Sequence, residues 1–130
     1  MTDKPTVLFL CQHNAGRSQL GAGLLEVLAG DRYTATSAGL SPADTVNPAI
    51  ASTVAELGLD ISDRTPRAVT VEDLDTADIV VAMKPGLTLP ATPTGRFLEW
   101  KFPDPTDWSA ENVRPLREAV AARIQAELLG

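Results

Sequence analysis

A chain of 130 residues, 44% hydrophobic and 22% charged, matches one ordinary folded domain over 1–130 and excludes a disordered tract. Its net charge of −6 argues against a nucleic-acid backbone as partner, and its longest apolar runs, such as Ile79–Met83, are far too short to cross a membrane. Neither observation excludes a small anion, because a local ring of N–H groups and one arginine outweighs distant surface charge.

The first residues, Met-Thr-Asp-Lys-Pro, lack the basic start and long apolar stretch of a signal peptide. Thr6–Leu10 is a short, fully apolar strand of the kind buried on both faces. Cys11 follows it, the only cysteine in the chain, and with no export signal it points to a reducing cytoplasm. Ser18–Ala29 reads as a helix with Leu20, Leu24, Val27 and Leu28 on one face and Gly30 as its stop. Tyr33–Ser37 alternates like a strand, and a second helix runs from the cap-then-proline pair Asn47-Pro48 to Gly58. Thr70 and Asp73 have capping-box spacing for a short helix before a strand at Asp78–Met83. Lys84–Gly95 is an aperiodic loop, Arg96–Trp100 a last strand, and Ser109–Leu129 a final helix that Pro115 is expected to kink or to open. Alternating strands and helices imply a parallel, doubly wound α/β sheet, in which ligands bind beyond the carboxyl ends of the strands. Cys11 is expected just past such an end.

The residues after Cys11 carry chemistry. A strand, then Gln12, His13, Asn14, Ala15 and Gly16, then Arg17-Ser18 opening a helix, leaves backbone N–H groups directed around a small cavity. Those donors and the helix dipole suit a tetrahedral oxyanion. Gly16 permits close backbone approach, and Asn14 is a residue type that tolerates a left-handed conformation or braces a tight loop. The guanidinium of Arg17 holds two oxygens at once, which lysine does poorly. The same positive surroundings favour the thiolate of Cys11, and Ser18 is placed to donate to its sulfur. A buried, inert cysteine beside a helix cap is the commoner fate of a lone cysteine, but these residue types at these offsets outweigh it.

Displacing oxygen from a tetrahedral centre also needs an acid for the leaving group. Asp104, between Pro103 and Pro105 in a stiff loop after the last strand, is the candidate, against the plain reading of Asp-Pro as a turn starter. Asp107 is a substitute, or else part of the cap of the final helix.

The loop Cys11–Ser18 with Asp104-Pro105 resembles the low-molecular-weight protein tyrosine phosphatase superfamily. HNAGRSQ at 13–19, TSAG at 36–39, VNPAI at 46–50, GLDIS at 58–62 and ADIVVAM at 77–83 resemble its arsenate reductase branch. The resemblance implies a four-stranded parallel sheet flanked by helices, with Cys11 as nucleophile, Arg17 as oxyanion ligand and Asp104 as acid. No bound cofactor and no metal is implied. Phosphatases of this superfamily carry tyrosines after the Asp-Pro to grip a phosphotyrosine ring, whereas here Thr106-Asp107 follow. A site without that aromatic slot favours arsenate, with phosphate or sulfate as mimics. Trp108 could wall the site but is read first as packing at the start of the final helix, and His13 as loop scaffolding.

Thioredoxin-coupled members of that branch carry two further cysteines, where Pro85 and Leu89 stand in this chain. An internal disulfide relay is therefore impossible, and a second thiolate must come from outside the polypeptide. The chain thus resembles the single-cysteine arsenate–mycothiol transferases, which implies mycothiol as co-substrate and a mycoredoxin downstream. TPRAVT at 65–70 fits that subgroup. Arg64 and Arg67 are read as solvated surface rather than thiol contacts. Glutathione remains open as the thiol. Two rival readings stay open as well: an acid phosphatase working through phosphocysteine, and a non-enzymatic phosphocysteine carrier, against which Arg17 and Asp104 count.

Overall fold

The computed structural model describes residues 4–103 and 105–129. Four strands, β1 (Thr6–Cys11), β2 (Thr34–Gly39), β3 (Ile79–Ala82) and β4 (Arg96–Glu99), form one parallel sheet in the order β2-β1-β3-β4. Helices α1 (Arg17–Ala29), α2 (Pro48–Ala55), α3 (Val71–Thr76) and α4 (Ala110–Ile124) connect or follow them, and α4 runs into a π-helical turn at Gln125–Leu129. β2 lies on one side of β1 and β3 on the other, so the winding reverses at β1, and the cleft of the fold opens at the carboxyl end of that strand.

β1 is apolar throughout because both faces are covered. Strand periodicity sends Val7, Phe9 and Cys11 to the face under α1, α2 and α4, and Leu8 and Leu10 to the face with Leu74 of α3. Cys11 is itself the last residue of β1, paired with Gly39, rather than a residue beyond the strand. Its side chain therefore shares the core face with Phe9 and is only 7% exposed. Trp100 anchors that core, with edge-on contacts to Phe9 at 6.4 Å and Phe102 at 6.2 Å between ring centroids.

The local signals act as expected at two helix starts. Asn47 Oδ1 accepts from the N–H groups of Ala49 at 2.9 Å and Ile50 at 3.4 Å, ahead of Pro48. The Thr70 hydroxyl accepts from Asp73 N–H while the Asp73 carboxylate accepts from Thr70 N–H, a complete capping box. Pro115 lies inside α4, which forms from Ala110 onward under the Ser109 cap.

The apolar face expected for α1 needs correction. Leu20, Leu24 and Leu25 are buried, but Val27 and Leu28 are exposed. The first two turns of α1 are enclosed by β1, β2, α2 and α4, so residues Ser18–Leu25 are buried nearly all round, and no single stripe describes them. Gly21 sits where α1 crosses the sheet, and a Cβ there would lie 2.6 Å from the Phe9 ring. On the outside, Arg114 and Arg117 of α4 both bind Glu56 at the end of α2. Hydrogen bonds from Arg114 and then Arg117 pull the Glu56 carboxyl down to about 2. This tie is complete above the ordinary carboxylate range and is lost only as pH falls toward that value.

Candidate active site

The loop between β1 and α1 owes its shape to the segment that follows β2. The carbonyl of Cys11 accepts from Leu40 N–H at 3.3 Å, that of Gln12 from Ser41 at 2.7 Å, that of His13 from Ala43 at 2.9 Å, and that of Ala15 from Asn47 at 2.9 Å. The Gly16 carbonyl accepts from Leu20 N–H within α1. In a trans peptide the N–H of the next residue points the opposite way, and no peptide bond among the described residues is cis. The N–H groups that follow those carbonyls, of Gln12, His13, Asn14, Gly16 and Arg17, therefore point away from those partners, to the other side of the loop. That side is a cavity of about 350 Å³ whose lining includes Cys11, Gln12, His13, Gly16, Arg17 and Trp108. Ala15 and Asn47 line it as well, so five residues of the loop after Cys11 face one cavity.

Asn14 holds the loop from behind. It is fully buried and adopts φ 52°, the left-handed conformation anticipated for it. Its amide Nδ2 donates to Ser18 Oγ at 2.8 Å, which leaves the Ser18 hydroxyl proton for the Cys11 sulfur at 2.9 Å. Its Oδ1 accepts from Gln19 Nε2 at 3.3 Å and from the backbone N–H of Arg67 at 2.9 Å. A chain of hydrogen bonds thus runs from Arg67 through Asn14 and Ser18 to the sulfur. That last contact fixes the orientation of the sulfur. Asn14→Ala is expected to lose this chain and the left-handed turn together, destabilising the fold by about 2–4 kcal/mol. Thermal unfolding reads the stability loss, and steady-state turnover should fall with it.

Arg67 is exposed, as read from the sequence, but its side chain and backbone are both engaged. Its guanidinium makes a two-point ion pair with Asp73, at 2.9 and 3.1 Å, and reaches Thr36 Oγ1 at 3.3 Å. Its own backbone both donates to Asn14 and accepts from Gly39 N–H at 2.9 Å. From the surface it braces the α3 cap against the loop. Arg64 pairs with Glu26 at 2.7 Å on the surface, away from the cavity. Gly39 completes the support, since a Cβ there would lie 2.7 Å from Asn14 N and 3.0 Å from the Gln12 carbonyl. The TSAG stretch carried that signal.

Arg17 is the first residue of α1, half-buried at the cavity wall. Burial lowers its guanidinium from the usual value, opposed by the nearby Cys11, but an arginine stays charged through such a shift. Its Cζ lies 5.8 Å from the ring of Trp108. Trp108 itself corrects the expectation of helix packing: it is 42% exposed and forms a wall of the cavity. His13 Nδ1 lies 3.0 Å from the Ser41 carbonyl, consistent with a scaffolding role. Lys84, unassigned from the sequence, also lines the cavity.

Asp104 lies outside the described residues. Asp107 accepts from Ser109 N–H at 3.0 Å, and hydrogen bonds from Ser109 and Asn112 hold its carboxyl below the usual range. These partners belong to the start of α4, and Asp107 is not among the residues that line the cavity. Among the described residues no group of acidic, histidine or cysteine side chains is arranged to hold a metal, and no helix is long and apolar enough to cross a membrane.

The family pattern described as low molecular weight phosphotyrosine protein phosphatase matches residues 6–128. An arsenate reductase of Halalkalibacterium halodurans is 34% identical over 129 residues, covering 97% of this chain and 91% of that one. A solved arsenate reductase in a phosphate-binding state superposes with a TM-score of 0.80 at 30% identity, covering 94% of this chain and 95% of its own. A thioredoxin-dependent arsenate reductase of Corynebacterium glutamicum has the same TM-score at 32% identity. That match covers 95% of this chain but only 59% of the other.

Proposed function

Because the chain belongs to the low molecular weight phosphotyrosine protein phosphatase family, in its arsenate reductase branch, we propose that it reduces arsenate with an external small thiol, mycothiol, as acceptor. The observation that carries the first half is the Cys11 sulfur at the cavity floor, hydrogen-bonded by Ser18 and faced by the loop amides and Arg17. The second half rests on Cys11 being the only cysteine of the chain, so no second protein thiol is at hand to resolve an adduct.

Arsenate sits in the loop with its oxygens on the amides and on Arg17. The Cys11 thiolate attacks arsenic, a sulfur–arsenic bond forms, and one As–O bond breaks. The departing oxygen takes a proton from Asp104, a role assigned from sequence position alone, and leaves as water. Mycothiol, as thiolate, then attacks arsenic and expels the Cys11 thiolate, with arsenic still pentavalent. Attack by a mycoredoxin thiolate on the mycothiol sulfur forms a mixed disulfide. The electron pair of the broken sulfur–arsenic bond goes to arsenic, which leaves as arsenite.

Coupled assays separate the possible acceptors. Arsenite should appear with mycothiol plus mycoredoxin. Activity with thioredoxin alone would overturn the acceptor, and hydrolysis of p-nitrophenyl phosphate with no arsenate reduction under any thiol would overturn the reaction.

A further inference from the structure

We propose that the exposed ring of Trp108, with Lys84 and Asn47 around it, is the binding subsite for the organic arm of the acceptor thiol. The inference rests on the small-thiol reading above and adds where that thiol sits. Its starting point is size. The cavity over Cys11 has a volume of about 350 Å³, within the range of about 300–1,000 Å³ typical of pockets that enclose organic ligands. A bare tetrahedral oxyanion held by the loop amides occupies only its floor. The remaining space, lined by Trp108, Lys84 and Asn47, is left for a second thiol.

The walls of that space suit a polar organic arm. The two tryptophans of the chain are used in opposite ways: Trp100 is 1% exposed in the core, whereas Trp108 is 42% exposed at the cavity. An aromatic ring left in solvent in a chain with only 5% aromatics presents a flat apolar face for a ligand. Asn47 uses its Oδ1 to cap α2, which leaves its Nδ2 to donate, and Lys84 adds a second donor from the loop after β3. A hydroxyl- and amide-rich arm stacks its C–H face on the indole and accepts hydrogen bonds from these donors. An arsenate ion alone uses neither.

Trp108 also lies beside Arg17, so the test must separate an acceptor wall from a ring that steadies the guanidinium. Steady-state kinetics are compared for the wild type, Trp108→Phe and Trp108→Ala, with mycothiol and with 2-mercaptoethanol, which has almost no arm. In Trp108→Ala the KM for mycothiol should rise by about tenfold or more, a rise well beyond any change in the KM for arsenate or in the 2-mercaptoethanol rate. Trp108→Phe should keep most of the mycothiol affinity. A parallel rise in the KM for arsenate, an equal loss with 2-mercaptoethanol, or no change in the KM for mycothiol would each overturn the subsite while leaving the acceptor reading intact. The wild type reports on that reading separately: turnover with thioredoxin alone removes both, and if glutathione is the thiol used, the same KM split is read on glutathione.

Discussion

Cys11→Ser should show no measurable arsenate reduction, a loss on the order of 10⁴-fold or more, while phosphate or sulfate still binds the loop. The two halves of this result have different physical origins. Serine keeps the size and the hydrogen bond to Ser18, so the buried position next to Phe9 is filled without a cavity. The amides that hold the anion belong to a backbone fixed by Leu40, Ser41, Ala43 and Asn47, and no side chain of the nucleophile contributes to that. What disappears is the sulfur nucleophile itself, because an alcohol at this position is a far weaker nucleophile toward arsenic. Isothermal titration with phosphate reads the binding, and arsenite release reads the chemistry. Retained reduction would remove Cys11 from the mechanism, and lost anion binding would mean that the loop depends on sulfur for its shape.

Arg17→Lys should lower kcat/KM for arsenate by about 10²–10³-fold, the usual cost of removing one aligned donor from an oxyanion site. Lysine preserves the charge, so a simple electrostatic requirement predicts little change. It loses the planar fork that meets two oxygens at once. Activity within about threefold of wild type in Arg17→Lys would show that charge alone suffices, against the bidentate geometry argued from the guanidinium. The fold itself should tolerate this change, and an unaltered thermal midpoint is the control.

How far each part of this molecule was legible depends on how far its partners are along the chain. The Asn47-Pro48 start of α2 and the Thr70–Asp73 box of α3 are decided within one helical turn, and both form as read. The apolar β1 announced a strand covered on both faces. The stripe assigned to α1 failed at Val27 and Leu28 because burial there depends on where α2 and α4 end, which no period within α1 encodes. Trp108 was misread for the same reason, since proximity to α4 in sequence does not say whether a ring turns inward or toward Cys11.

The sequence by itself carried the proposed reacting group and the proposed acceptor. Cys11, Asn14, Arg17 and Ser18 fall within eight residues, their loop is short, and its left-handed residue and helix start follow from residue types; the single cysteine is the ground for proposing an outside thiol. Only the tertiary structure decided what steadies and surrounds that loop. The Arg67 N–H that fixes Asn14 is 53 residues away in the chain. Gly39, Lys84 and Trp108 come from three further segments. Their convergence is set by the strand order β2-β1-β3-β4, which brings the carboxyl ends of distant strands to one edge. Local periodicity records which face of an element is buried, and the crossovers decide what it is buried against.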